Sequence, residues 1–197
     1  MSYELIGSQR SPFVRVCRML MHQHGIHFEF RTLNFVDDPK DAALLAQETP
    51  INKVPVLLDG GQKIFDSRVI VSYLTKKHQL PELTLDEENC VSAIYACLDT
   101  SVILFLMKRD GFDISGPGFF LSRQRQRIPD NLRYVTAWAA QLDSKRPRDW
   151  NYASMSLYSY LYWAQARELL TNISSYPELQ SFMQRFATAP GVVETTF

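Results

Sequence analysis

Up to about position 80 the apolar residues follow two alternating spacings, and beyond it only the helical spacing persists. Tyr3–Gly7 (YELIG) reads as a short strand. Residues 12–24 then carry Phe13, Val16, Cys17, Leu20 and Met21 at i, i+3, i+4 intervals, one face of an amphipathic helix. Gly25 supplies the left-handed residue that closes it. HFEFRTL sets Phe28, Phe30 and Thr32 on one side of a second strand. A short helix follows over 39–47, capped by Asp37 or Asp38 with Pro39 in its first turn. VPVLLDGGQKIF is two strands about an Asp-Gly-Gly turn. Asp66 or Ser67 then caps a helix to about His78, with Val69, Ile70, Tyr73 and Leu74 inward. The order β-α-β-α-β-β-α implies a small mixed sheet, a parallel pair extended by an antiparallel hairpin, with helices on its faces.

Past Pro81 no strand pattern recurs. Thr84 or Asp86 caps a helix over about 86–110, and DGFDISGPG breaks it. Further helices are predicted over 119–144, 151–170 and 178–187, with SKRPRDWN separating the first two of these. The expected division is an α/β domain over 1–79, a linker over 80–85 and an all-α domain over 86–197.

Composition narrows the function. Lys+Arg and Asp+Glu are both 21, so the formal net charge is zero and neither a nucleic acid nor a membrane surface is implied as partner. Arg123, Arg125, Arg127 and Arg133 do not form one stripe, because residues two apart face away from each other on a helix; they read as a solvated face. Cys17, Cys90 and Cys97 show no metal or redox spacing and read as small buried hydrophobes. The sparse, odd count fits a reducing compartment. MSYELIGSQR lacks the basic start and apolar run of a signal peptide, and no uninterrupted apolar run approaches the ~20 residues of a membrane span. A cytoplasmic protein is expected.

Three segments stand in a telling order: SPFVR at 11–15, NKVPVL at 52–57 and FDSRVIVSYL at 65–74. Together with the layout they resemble the glutathione S-transferase superfamily, and most closely its small bacterial members with serine at the reactive position. The resemblance implies a thioredoxin-like N-terminal domain followed by an all-α C-terminal domain, the glutathione transferase fold. It implies glutathione as co-substrate, a small apolar electrophile as second substrate, no metal, and a homodimer.

Each implied site residue has a physical reading. In the family the proline of the Val-Pro step, here Pro55, is cis. The backbone of the preceding residue, Val54, then pairs with the cysteinyl backbone of glutathione as a short strand would. Ser67, at a helix start, would hold the γ-glutamyl carboxylate on unpaired N–H groups and the positive dipole end. Asp66, standing where the family has Glu or Gln, would face the α-ammonium from one methylene further back. Lys53 resembles the contact to the glycyl carboxylate, and reads equally as an exposed loop lysine. Ser11 is a helix N-cap by position, because Pro12 follows it. In the family's serine branch that hydroxyl also donates to the glutathione sulfur. Free thiols titrate near about 8.5, so a depression of about one to two units yields mostly thiolate at neutral pH. The thiolate would attack an electrophilic carbon or a peroxide with no covalent enzyme intermediate. Ser8 is the rival for this role.

Gln9, Arg10 and Phe13 are the candidate lining of the second-substrate pocket, between the Ser11 loop and the first long helix. Arg15 reads as a source of positive field or as a structural ion-pair partner. DWNYASMSL resembles the family's buried helix, with Asn151 as cap and Ser154 where an Asp is usual, a change expected to weaken the local hydrogen bonding. The alternative function is a non-catalytic protein of the same fold that binds a ligand or docks to another macromolecule.

Overall fold

The computed structural model describes residues 3–170 and 173–197. The described chain forms two compact units. One comprises Met1–Glu82 together with Thr188–Phe197, and the other Leu83–Ala187.

The first unit is built on four strands, β1 (Tyr3–Gly7), β2 (Phe28–Thr32), β3 (Val56–Asp59) and β4 (Gln62–Phe65), in the order β2-β1-β3-β4. β1 and β2 are parallel, and β3 is antiparallel to both β1 and β4. Successive side chains on a strand face opposite ways, so each strand feeds two cores. Paired Ile6 and Val56 join Leu33 and Leu45 on one face, where α2 (Pro39–Glu48) covers them. Leu5 and Leu57 take the other face, the side that packs α3 (Ser67–His78), which in turn packs on α1 (Pro12–Gln23). All four strand residues are 0% exposed, and each such burial stabilises the fold by about 1.5–3 kcal/mol. At Gly7 a Cβ would lie 2.5 Å from Val14 Cγ2, so β1 passes against α1 only because a hydrogen stands there. Edge strand β2 departs from the expected alternation: Phe28, Phe30 and Arg31 are half-buried and Thr32 is exposed.

On α3 the buried residues are Ser67, Ile70, Val71 and Leu74, whereas Val69 is 53% exposed. The expected inward face is therefore rotated, and Val71 takes the place assigned to Val69. One end of this sheet is closed by polar side chains. The Tyr73 hydroxyl donates to Asp59 Oδ2 at 2.5 Å, Lys77 forms an ion pair with the same carboxylate, and the Tyr3 hydroxyl lies 2.8 Å from His78 Nε2. The Lys77 ammonium also stands over the Tyr3 and Tyr73 rings, 5.2 and 5.5 Å from their centroids.

In the second unit α4 (Leu85–Arg109) packs against α5 (Phe119–Ala139) and α6 (Tyr152–Ala166), and α7 (Pro177–Arg185) packs against α5. Thr84 and Glu87 form a capping box at the start of α4. α4 is long and apolar enough to cross a membrane, and half of that window is buried as the core helix of its unit. α6 is buried from Tyr152 through Leu161. Two helices stop earlier than their periodicity implies. After Ala139 the Asp149 carboxylate accepts the Asp143 N–H at 2.8 Å, turning the chain out of α5. After Ala166, Glu168 takes φ +56° while Leu169 N–H donates to Ala164 C=O, which ends α6.

Residues 188–197 belong with the sheet unit, against the expected assignment of 86–197 to the helices. Their contacts explain why. The fully buried Arg15 donates from Nε to Thr195 Oγ1 at 3.0 Å and from Nη2 to Val192 C=O at 3.2 Å.

Candidate functional site

Strand register assembles the candidate residues. Ile6 pairs with Val56, which pairs with Phe65, so the C-terminal ends of β1 and β4 and the N-terminal end of β3 lie side by side. The loop to Ser11, the Val54–Pro55 step and the Asp66–Ser67 helix start thus share one end of the sheet, opposite the Asp59 cluster. Thr32 of β2 pairs with Gly7, so α1, α2 and α3 all begin from this end. Three positive helix termini there favour an anionic ligand.

Ser11 caps α1 from extended backbone (φ −83°, ψ 124°), its Oγ accepting the Val14 N–H at 3.4 Å. That cap occupies a lone pair only. A hydroxyl keeps one O–H donor besides its acceptors, so Ser11 can cap the helix and donate to a sulfur at once. The Ser11 N–H donates to Ser8 C=O at 3.1 Å, which tightens the loop, while Ser8 Oγ accepts from Arg10 N–H at 3.4 Å. Ser8 therefore supports the loop and Ser11 stands at the helix start. Gln9 and Arg10 are exposed and Phe13 is half-buried.

The Val54–Pro55 bond is cis. Pro55 is buried, Val54 half-buried and Lys53 exposed. Val54 precedes β3, and no backbone hydrogen bond among the described residues takes up its N–H or C=O. It offers a donor and an acceptor to an incoming extended backbone.

Asp66, not Ser67, is the cap of α3. Its Oδ1 accepts the Arg68 and Val69 N–H groups at 2.8 and 3.4 Å, from a left-handed φ of +73° that a non-glycine residue rarely adopts. The carboxylate is thus engaged by its own helix, with one oxygen left for another contact. Ser67 is the first helical residue and only 2% exposed. Beneath it Cys17 Sγ lies 4.0 Å from the Ser67 carbonyl oxygen.

The cysteines are poor nucleophiles. Burial, and to a lesser degree the Asp66 charge, pushes the Cys17 thiol far above its ordinary range. Burial raises Cys90 to about 11 and Cys97 to about 12. All three are buried and free. Among the described residues no group of three or more His, Cys, Asp or Glu side chains could hold a metal.

Arg15 belongs to neither reading made from sequence, since it binds the returning C-terminal segment; no spacing between residues 15 and 195 signals such a pairing. Ser154 also departs from expectation. Its Oγ accepts the Asn151 N–H at 2.9 Å while Asn151 Oδ1 accepts the Ala153 and Ser154 N–H groups, a complete capping box. Asn151 Nδ2 donates to Glu87, whose carboxylate also receives Arg148 at 2.8 and 2.6 Å. A serine thus does locally what an acidic side chain was expected to do. Of the arginines on α5, Arg125 ties down the preceding loop through Ile114 and Gly116 carbonyls rather than facing solvent alone.

A thioredoxin-like sheet unit and an all-helical unit are the class of protein these features define. Residues 5–82 match the glutathione S-transferase N-terminal domain family. Over 81 residues the chain is 38% identical to an uncharacterised GST-like protein, YibF, of Escherichia coli K12, covering 41% of this chain and 39% of that one. With the hematopoietic prostaglandin D synthase of Gallus gallus it shares 23% identity over 97% of this chain and 93% of the other. The first relatives are matched over only 39% and 27% of their own lengths. A glutathione S-transferase of Methylobacterium radiotolerans, solved in complex with glutathione sulfonate, superposes at a TM-score of 0.84 with 22% identity, over 99% of this chain and 94% of that one. A glutathione transferase family member of Pseudomonas fluorescens Pf-5, solved with bound glutathione, gives 0.80 and 24% over 98% of each chain. Residues 5–82 thus resemble a glutathione S-transferase N-terminal domain, and the whole chain shares the fold of the solved glutathione transferases.

Proposed function

We propose that this protein is a glutathione transferase. Glutathione lies along the open end of the sheet, its cysteinyl backbone paired with the Val54 N–H and C=O, its γ-glutamyl carboxylate at the Ser67 helix start and its glycyl carboxylate near Lys53. The free oxygen of Asp66 faces the α-ammonium. The Ser11 O–H donates to the sulfur, and with the positive end of α1 favours S⁻ over SH. The thiolate attacks the carbon of a small apolar electrophile and displaces its leaving group, or attacks a hydroperoxide oxygen, breaking the O–O bond to release the alcohol and leave a sulfenic acid that a second glutathione reduces to disulfide and water; Gln9, Arg10 and Phe13 border that substrate. The reading extends to a cytoplasmic homodimer, which sedimentation at micromolar concentration tests.

The observation that carries the proposal is the coincidence at one sheet end of a hydroxyl donor on a helix terminus, an unpaired Val54 backbone and a second helix terminus. The relatives solved with glutathione or its sulfonate support the same ligand.

Thermal unfolding against glutathione concentration is the direct test. A ligand at 100 times its Kd stabilises by about 2.7 kcal/mol, a readily measured rise in Tm. No rise at millimolar glutathione removes the proposal. A rise without turnover of aryl halides or hydroperoxides retains the binding site and removes the enzyme.

A further inference from the structure

We propose that the segment Thr188–Phe197 is a positioning strap for the active end of α1, acting on Ser11 through Arg15. The inference deepens the proposed function and rests on it for its catalytic consequence. Four observations place the strap. Thr195 is fully buried and receives Arg15 Nε at 3.0 Å, while its own hydroxyl donates to Gly191 C=O at 2.6 Å. Val192 C=O receives Arg15 Nη2 at 3.2 Å, and Glu194 C=O receives Arg18 Nη2 at 3.0 Å. A Cβ on Gly191 would lie 2.7 Å from Met19 Cα and 3.2 Å from His22 Cβ, so backbone rests on helix there. The Arg15 guanidinium also lies 5.8 Å from the centroid of the Phe197 ring.

These contacts fall at positions 15, 18, 19 and 22, one continuous face of α1. The strap therefore holds the helix along its length. Its tightest hold is at Arg15, whose backbone N–H donates to the Ser11 carbonyl at 3.0 Å. Ser11 is thus one hydrogen bond from a side chain anchored in the strap. An anchor at that point fixes where the Ser11 hydroxyl sits and how the α1 terminus is aimed. Arg15 is a positioning residue in this scheme, because it acts on the sulfur through Ser11. In the proposed function glutathione's own backbone and carboxylates are held by Lys53, Val54 and the start of α3, which the strap contacts do not include.

That separation sets the test. Thr195→Val removes the hydroxyl that receives Arg15 while keeping the side-chain volume, and Thr195→Ser restores it. In the protein with both units present Thr195→Val is expected to lower kcat with glutathione and an aryl halide by about ten-fold or more, since small misplacements of a reacting group carry large rate costs. The pH midpoint for thiolate formation should move upward, KM for glutathione should change little, and Thr195→Ser should recover both midpoint and rate. Arg18→Ala, at the half-buried rim of the same face, is expected to act in the same direction more weakly, and serves if Thr195→Val does not fold. An unchanged kcat and pH midpoint alongside a lowered Tm would reduce the strap to packing and overturn the proposal. Amide hydrogen exchange needs no activity: in Thr195→Val the Val14 and Arg15 amides should exchange faster while Val69 and Ile70 on α3 stay protected. Equal change on both helices overturns the strap. A wild-type protein that ignores glutathione overturns the proposed function instead and leaves the exchange result to stand on its own.

Discussion

The two ends of the four-stranded sheet each carry an aspartate, Asp59 at one and Asp66 at the other, and put it to opposite uses. At the Asp59 end, tyrosine, lysine and carboxylate satisfy one another, and Asp59 is 5% exposed. At the Ser11 end, Ser11 Oγ and Asp66 Oδ1 are engaged by their own helix starts, and among the described residues hydrogen-bonding capacity is left over: the Ser11 O–H, the Val54 peptide groups and one Asp66 oxygen. A closed cluster contributes stability, whereas a set of groups half-satisfied by their own backbone is prepared for a ligand. The contrast lies in how the donors and acceptors are partnered.

The contrast breaks most sharply at Ser11. Ser11→Ala is expected to reduce turnover by about 100-fold, the usual consequence of losing a preorganised donor to a developing anion. The long cap at 3.4 Å should cost only about 0.5–1 kcal/mol in stability. Steady-state kinetics and urea unfolding on one preparation separate the two. Asp59→Ala should do the reverse, losing about 1–2 kcal/mol of stability with kcat unchanged, a value kept modest because Lys77 is partly solvated.

The same pair sharpens with pH. The Lys77 and Tyr73 hydrogen bonds hold the Asp59 carboxyl below its ordinary range. Its contribution is therefore present above the unfolded value of about 3.9 and is lost as pH falls through the lower native one. Urea titrations below about pH 4 should show a shallower pH slope in Asp59→Asn, and no change of slope in Ser11→Ala. The smallest effect is expected at Lys53. With an exposed side chain it should raise KM for glutathione only a few-fold on replacement by alanine, at constant kcat, and less so in high salt.

Strand and helix order could be read from hydrophobic spacing because both periods are local. The candidate site could be read because each of its residues sits within a few positions of a cap or a turn. What escaped reading was long-range. Val69 and Val71 are chemically alike, and only the packing of α3 decides that Val71 is buried and Val69 exposed. The end of α5 depends on Asp149 reaching back to Asp143, which overrides continued helical periodicity. Arg15 reads from its neighbours as a source of positive field or an ion-pair partner, because its receptor, Thr195, lies 180 positions away. Ser154 differs for another reason: a hydroxyl completes a capping box as well as a carboxylate when the N–H it must reach is 2.9 Å off.

The return of residues 188–197 to the sheet unit has a consequence for synthesis. The unit is discontinuous in the chain, so the ribosome completes its first 82 residues and then makes residues 83–187 before the strap exists. At roughly 5–20 residues per second, α1 waits on the order of ten seconds for the segment that covers Arg15. During that interval the sheet can pair and Ser11 can cap its helix, but the guanidinium remains hydrated and the face of α1 from Arg15 to His22 is bare. The hydroxyl that fixes Arg15 is thus supplied 180 positions after it, so the helix that carries Ser11 is finished long after it is made.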